Sequence, residues 1–400
     1  MYFIFFAKVI NCMGSFILPL LTLILSQKLG MSKAETGNFS ALLLLTQVPS
    51  LIIGGKLTDA IGRKKIIIVC EVLGSFFYFL CGFSKDTASM ALFIVIAENL
   101  YTAAAPAFDS MVADITTPET RKASFSLLYL GANIGMTISP LLGGLLFKNH
   151  LPLLFILDAA TTLASVVLLA AFVKETRSKP QEAALMDQPE QPAENIPVYR
   201  VLKAVPLLLV FFALVFIYDF AYSQWGFMLP LQFGDLYGLD GAQFFSILAA
   251  LNSFIVITCT PLLTHLTLGF RPLSVIAGGG ALYVVAYAVF SFANSFPLFL
   301  AAAALFTFGE IVVAINMGTF IADHSPDAHR GRINSIFMFI RGSAFALGPF
   351  VMGHAIAKTN YFVTWSVIAA LMLFGTMSMV LLGRKDQKAS IPVAVPNDAV

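Results

Sequence analysis

Twelve stretches of the chain, most of them twenty or more residues of mainly apolar character, are separated by short polar segments. A helix needs roughly 20 such residues to cross about 30 Å of hydrocarbon. The pattern predicts spans near 2–26, 36–58, 65–84, 88–113, 123–147 and 151–173, then near 205–232, 241–265, 272–293, 297–322, 332–357 and 361–383. Pro106, Pro140, Pro261 and Pro349 fall inside spans, where membrane helices tolerate them better than soluble ones do. The in–out alternation of a membrane β-barrel is absent. The expected class is therefore all-α and integral to a membrane, with twelve transmembrane helices.

One polar stretch is longer than the rest. Residues 174–204 carry Pro180, Pro189, Pro192 and Pro197 among Lys, Glu, Gln and Asp, a composition that cannot bury a core. It divides the chain into a six-helix bundle over 1–173, a linker over 174–204, a second six-helix bundle over 205–383 and a tail over 384–400. The halves share a spacing. Asp114 and Arg121 flank the loop between spans 4 and 5, and Asp323 and Arg330 flank the loop between spans 10 and 11. Aspartate and arginine are seven apart in both, and each arginine stands nineteen residues before a proline, Pro140 or Pro349. The two bundles are read as pseudo-symmetric copies. Duplicated halves with a solute site between them near mid-bilayer recur among secondary transporters.

Composition agrees with this pattern. Of 400 residues, 58% are hydrophobic and 12% charged, and the mean hydropathy is +0.85. A soluble domain is typically about 45–50% apolar and about 25% charged, so the expected partner is the lipid bilayer. A net charge of +2 is too small to suggest nucleic acid. Cys12, Cys70, Cys81 and Cys259 lie in apolar stretches without metal-ligand spacing, so no metal site is expected, and no cofactor is implied. The sequence contains no H-E-x-x-H, G-x-S-x-G or G-x-x-x-x-G-K-[ST] motif. The motifs thus argue against an enzyme and against an ATP-driven pump. No cleavable signal peptide is expected, because an apolar run begins at position 2 without a cleavage site after it; the abrupt start leaves room for a longer native N-terminus.

Lys and Arg set the expected orientation. More than three times as many lie on the linker's face as on the other face, which holds Lys28, Lys33, Lys85, Lys148 and Lys358. By the positive-inside rule the linker and both termini face the cytoplasm, in the cell (inner) membrane.

The loop between spans 2 and 3 reads Gly54-Gly55-Lys56-Leu57-Thr58-Asp59-Ala60-Ile61-Gly62-Arg63-Lys64-Lys65. Glycines let helix ends approach closely, Asp59 can face a helix N-terminus, and Arg63 can fork onto a carboxylate. Here the sequence resembles the major facilitator superfamily, whose G-x-L-x-D-x-x-G-R-K signature is matched by Gly55, Leu57, Asp59, Gly62, Arg63 and Lys64. The resemblance extends to the twelve spans and the 6+6 division. It implies a cytoplasmic gate in which Arg63 pairs with Asp114 and Asp59 sits near the start of span 11, around Gly331 to Ser335. The corresponding second-half loop, Thr264 to Arg271, is degenerate.

Span 5 places Gly131, Gly135, Ser139 and Gly143 four apart, with Pro140 and Gly144 beside them. Residues four apart share a helix face, so this is a small-residue groove for a close neighbour. The pattern also resembles the G-x-x-x-G-P-x-x-G-G signature of the superfamily's drug/proton antiporters, with Ser139 in place of a glycine. Gly348-Pro349 and Gly353 form a partial copy in span 11. The arginine that the antiporter pattern would place near Ile94 is absent, and Glu98 lies one turn further on.

A charge at the bilayer centre costs about 2.5–3.5 kcal/mol on insertion scales, so each one needs a reason. Glu310 lies thirteen residues before Asp323 and Arg341 eleven after Arg330, both roughly 16–20 Å deep at about 1.5 Å per residue. On consecutive antiparallel spans the two are expected to meet, either as a titratable pair in a central cavity or as a structural salt bridge. Glu98, Asp219, Tyr222, Gln224 and Asn11 are the other candidates for a proton and solute cavity, while Glu71 and Asp158 stand as relay or packing groups. The expected function is a monomeric, proton-coupled exporter of a small drug-like or amphipathic solute. The alternatives are a proton-coupled importer of a sugar, peptide or organic acid, and a non-transporting scaffold or lipid flippase.

Overall fold

The computed structural model describes residues 2–176, 206–325 and 330–389, with backbone alone at 118–119, 122–123, 330–332 and 387–389. In chain order its α-helices are α1 (Tyr2–Met13), α2 (Ile17–Leu23), α3 (Lys33–Ile61), α4 (Arg63–Phe83), α5 (Thr87–Asp114), α6 (Pro118–Phe147), α7 (Leu151–Phe172), α8 (Pro206–Tyr222), α9 (Gln224–Tyr237), α10 (Gly241–Thr267), α11 (Pro272–Phe292), α12 (Phe296–His324), α13 (Arg330–Lys358) and α14 (Tyr361–Ala389). Continuous helix satisfies every backbone group within the segment, which hydrocarbon demands.

These helices make twelve crossings. α1 and α2, continued by a π-helical turn over Ile24–Lys28, are two pieces of the first crossing, and α8 and α9 are two pieces of the seventh. The stretch Pro206–Thr267 is 62 residues of nearly unbroken helix, about 93 Å at about 1.5 Å per residue and too long for one crossing. Gly238, at φ +58°, turns the chain there between the seventh and eighth crossings. An even number of crossings puts both chain ends on one face, the terminus face; the opposite one is the far face.

The packing is pseudo-symmetric. In the first half α1 packs on α6 and α7, α4 on α5 and α7, and α3 on α5. In the second, α8 packs on α13 and α14, α11 on α12 and α14, and α10 on α12. Each contact has its counterpart six crossings later. The halves meet chiefly along α3 against α13 and α6 against α10. Aromatic bulk fills the second half, where Trp365, Tyr287, Phe290, Phe299 and Phe306 are fully buried, whereas Phe76, Phe83 and Phe374 are exposed.

Spans 1 and 7, predicted as continuous, are both interrupted near their middles, and each break has specific partners. At Gly14–Phe16 the Ser15 carbonyl accepts from Ser139 Oγ at 2.6 Å. The Phe16 and Ile17 N–H groups donate to Asp158 Oδ2 at 3.0 and 3.3 Å. In α9, Pro230 has no N–H to donate to the Gly226 carbonyl four residues back; Thr22 Oγ1, from the other half, donates to that carbonyl at 3.0 Å. Helix α14 runs on to Ala389, six residues into the predicted tail. Most of the predicted linker, from residue 177 on, lies outside the described residues.

Candidate functional site

The larger cavity, about 1110 Å³, lies between α3 of the first half and α8, α11, α12 and α13 of the second. Leu44, Leu45, Val48 and Ile52 make one wall, and Asn334, Ser335 and Gly318 line it toward the terminus face. Its charged residues are Asp219, Glu310 and Arg341. Glu310 accepts from Tyr222 Oη at 2.8 Å and from Asn252 Nδ2 at 2.6 Å, one donor to each carboxylate oxygen. Tyr222 belongs to an aromatic wall in which Phe306 stacks on Trp225 at 4.6 Å and faces Tyr283 at 4.9 Å. Asn252 was not among the sequence candidates; a lone asparagine in an apolar span was its only signal.

Two expectations are corrected here. Glu310 and Arg341 do not pair. Arg341 forks onto Asp219, with Nε to Oδ2 at 2.9 Å and the second nitrogen to Oδ1 at 3.4 Å. Spans 10 and 11, although consecutive, are not close neighbours in this fold: α13 packs on α3 and α8, whereas α12 packs on α10 and α11. Gln224, expected in the cavity, is fully buried and lines neither principal cavity. Its Nε2 donates to the Phe220 carbonyl at 2.9 Å and to Ser223 Oγ at 2.9 Å, securing the break between α8 and α9.

Asn11 and Glu98 line a separate cavity of about 290 Å³ inside the first half, with Lys8, Glu71, Tyr78, Tyr101 and Asp158. Asn11 Nδ2 reaches Thr162 Oγ1 at 3.5 Å, and Glu98 accepts from Tyr78 Oη. The single cavity expected from the sequence is thus two, one in the first half and one shared between the halves.

The two faces are held differently. On the far face, Lys33 pairs with Asp235 at 2.6 Å and Lys148 with Asp240 at 2.8 Å. Tyr361 Oη donates to Asp235 at 2.9 Å, Lys33 Nζ lies 4.8 Å from the Tyr361 ring centre, and Gln27 Nε2 donates to the Gly238 carbonyl at 3.0 Å. Sequence reasoning treated these lysines only as topology markers and missed the seal. On the terminus face, Arg63 Nε binds Asp114 Oδ2 at 3.0 Å and its NH1 stands 3.9 Å from Asp59. Thr176 Oγ1 also donates to Asp114, at 2.9 Å. His324 meets Asp386 at 3.1 Å. Each of these terminus-face contacts stays within one half.

A family model described as the Major Facilitator Superfamily matches residues 4–349 and again 275–394. The chain belongs to the Major Facilitator Superfamily. It is similar to a Na(+), Li(+), K(+)/H(+) antiporter of Planococcus maritimus, 23% identical over 86% of each chain. It is also similar to the class H tetracycline resistance protein of Pasteurella multocida, 28% identical over 45% of each. A solved peptide transporter, POT in complex with sulfate, superposes with a TM-score of 0.76 at 17% identity, covering 96% of this chain and 94% of that one; this likeness concerns the fold. The superfamily and these relatives are multi-pass membrane transporters, not enzymes.

The superfamily signature loop has a local physical basis here. Gly62 ends α3 at φ +118°, where a Cβ would also fall 2.7 Å from Glu175. The next N–H, of Arg63, donates to Glu175 Oε1 at 2.9 Å, and Lys64 Nζ to the Ala170 carbonyl at 2.6 Å. Gly55 is open enough that a Cβ would touch only Pro106, at 4.0 Å, and Leu57 is exposed. Asp59 is 79% exposed; of the stretch from Gly331 to Ser335 against which the resemblance sets it, the side chains at 331–332 lie outside the described residues. The span-5 motif serves two neighbours of α6. Cβ atoms at Gly131, Gly135 and Gly143 would meet Phe5, Cys12 and Leu20 of the first crossing, whereas one at Gly144 would meet Ser246 of α10. Ser139, the departure from glycine, supplies the hydroxyl that satisfies Ser15 at the break. Pro140, beside it, lies within α6.

Proposed function

We propose that this transporter exports a small amphipathic solute from the cytoplasm in exchange for protons, by alternating access. The observation that carries the reading is Glu310. It sits in the large cavity beside aromatic rings, and among the described residues no cation pairs with it, because Arg341 is neutralised by Asp219. A carboxylate so placed is satisfied either by a proton or by a solute with a positive or hydrogen-donating group. If the two exclude each other there, switching access between the faces yields antiport. The Lys/Arg bias supports assigning the terminus face to the cytoplasm, and the cavity extends toward that face. The span-5 motif and the likeness to an antiporter and a resistance protein support the outward direction.

The test uses purified protein in liposomes under an imposed pH gradient, with a panel of lipophilic cations and neutral amphipaths as probes. Wild type should accumulate at least one probe against its gradient. Glu310→Gln should lose that accumulation while still exchanging the same probe down its gradient. Uphill accumulation at the wild-type rate in Glu310→Gln would move the proton to another group. Accumulation in the same direction as proton flow would make the protein an importer.

A further inference from the structure

The cavity inside the first half holds three carboxyl groups that the Glu310 site does not use. Glu71 comes from α4, Glu98 from α5 and Asp158 from α7. Asp158 is 4% exposed and Glu98 8%. Glu98 is held by Tyr78, and one oxygen of Asp158 by the Phe16 and Ile17 amides. Glu71 differs: its Oε2 is sealed from solvent and has no hydrogen-bond partner among the described residues. The other groups facing this space are Lys8 and Cys12 from α1, Tyr78 from α4 and Tyr101 from α5, while α3 contributes the neutral Gln47. Lys8 is the one fixed cation among them.

Three carboxylates against one ammonium would leave two uncompensated negative charges in a largely buried, low-dielectric space, which is costly. Something positive must balance them. A chelated metal ion does not fit, because no three acidic, His or Cys side chains among the described residues converge as a ligand set. A proton needs no such convergence, only a carboxyl oxygen without a partner, and Glu71 presents one.

We propose that the first-half cavity is a second proton-binding site, centred on Glu71 with Glu98 and Asp158, and physically separate from the solute cavity. Asp158 links the site to the rest of the molecule. It holds the two amides at the break in the first crossing, and the α2 segment below that break donates Thr22 to α9 of the other half. A proton entering the cavity changes the charge facing that break, so it can bias the far face without touching the solute. The inference rests on the chain being a transporter of its superfamily and not on the role given to Glu310.

Infrared difference spectroscopy on protein in lipid, between acidic and alkaline buffer, tests the site without any solute. Protonated buried carboxyls show a carbonyl band apart from the amide bands. Glu71→Gln should remove one component of that band that Glu310→Gln leaves in place. The same samples, spin-labelled at Lys85→Cys and Asn294→Cys on the two halves of the far face, should show a pH-dependent distance in wild type and in Glu310→Gln. The pH dependence should be lost in Glu71→Gln. Glu71→Gln leaves the Asp158 hydrogen bonds intact, so the test survives even if Asp158→Asn does not fold. A carbonyl band unchanged by Glu71→Gln, or a far-face distance that follows pH as in wild type, would overturn the proposal.

Discussion

The far face and the terminus face are both rimmed with charge, yet the charges have opposite mechanical meaning. Far-face pairs run between the halves: Lys33 of α3 to Asp235 of α9, and Lys148 at the end of α6 to Asp240 before α10. Among the described residues, terminus-face pairs run within a half: Arg63 to Asp114, and His324 to Asp386. Contacts within a rigid half move with it and survive when access changes sides. Contacts between halves must break, so they weight the equilibrium between conformers. Beneath the far-face charges the backbones themselves touch. A Cβ at Gly37 would fall 2.3 Å from the Pro349 carbonyl oxygen, and one at Gly353 2.6 Å from that of Lys33. Span 11's partial copy of the span-5 motif therefore serves the seal.

That contrast is broken most severely at Gly37. Gly37→Leu should prevent the far face from closing, because the obstacle is backbone and cannot rotate away. Transport should be lost, with the protein still present in the membrane, and the distance between spin labels at Lys85→Cys and Asn294→Cys should shift to a single longer population. Wild-type transport in this variant would show that closure does not depend on the glycine contact.

A smaller effect is expected from the charges above it. The far-face lysines and aspartates are roughly a third to a half exposed, and exposed pairs contribute about 0.2–1 kcal/mol each. Asp235→Asn with Asp240→Asn, which removes both pairs, should thus shift the conformer ratio by up to about thirtyfold toward far-face opening. The exchanged pair Lys148→Asp with Asp240→Lys should restore the wild-type distance distribution. A double variant with an unaltered distribution would reduce these pairs to surface decoration.

The smallest effect on the described conformer is expected at Asp59. Being largely exposed, it contributes little while the terminus face is open. If it engages the start of α13 once that face closes, Asp59→Asn should slow transport several-fold without changing thermal stability. Arg63→Ala should slow transport and also lower stability, because it leaves Asp114 without its guanidinium. Unaltered transport in both would remove this loop from the cycle.

The twelve crossings, the two bundles and the superfamily were legible in the sequence because they depend on local quantities. Apolar length decides whether a segment crosses, and the loop from Gly55 to Lys64 is a contiguous signature. Arg63–Asp114 was also legible, since the resemblance carried both positions. The Glu310–Arg341 pairing was misjudged because adjacency along the chain was taken for adjacency in space. Gln224 was misplaced because the break after Tyr222 left no mark in hydropathy, and there the side chain serves the backbone instead of the cavity.

By itself, the sequence determined how many times this chain crosses the membrane, how it divides and which charges lie deep, since these follow from the composition of short segments. Only the tertiary structure decided which buried acid meets which base, that the expected cavity is two, and that Lys33, Lys148, Asp235 and Asp240 close one face. Those outcomes depend on which helices become neighbours. That choice is made by matching surfaces, such as the glycines of α3 and α13, over separations of some three hundred residues, where no local pattern reaches.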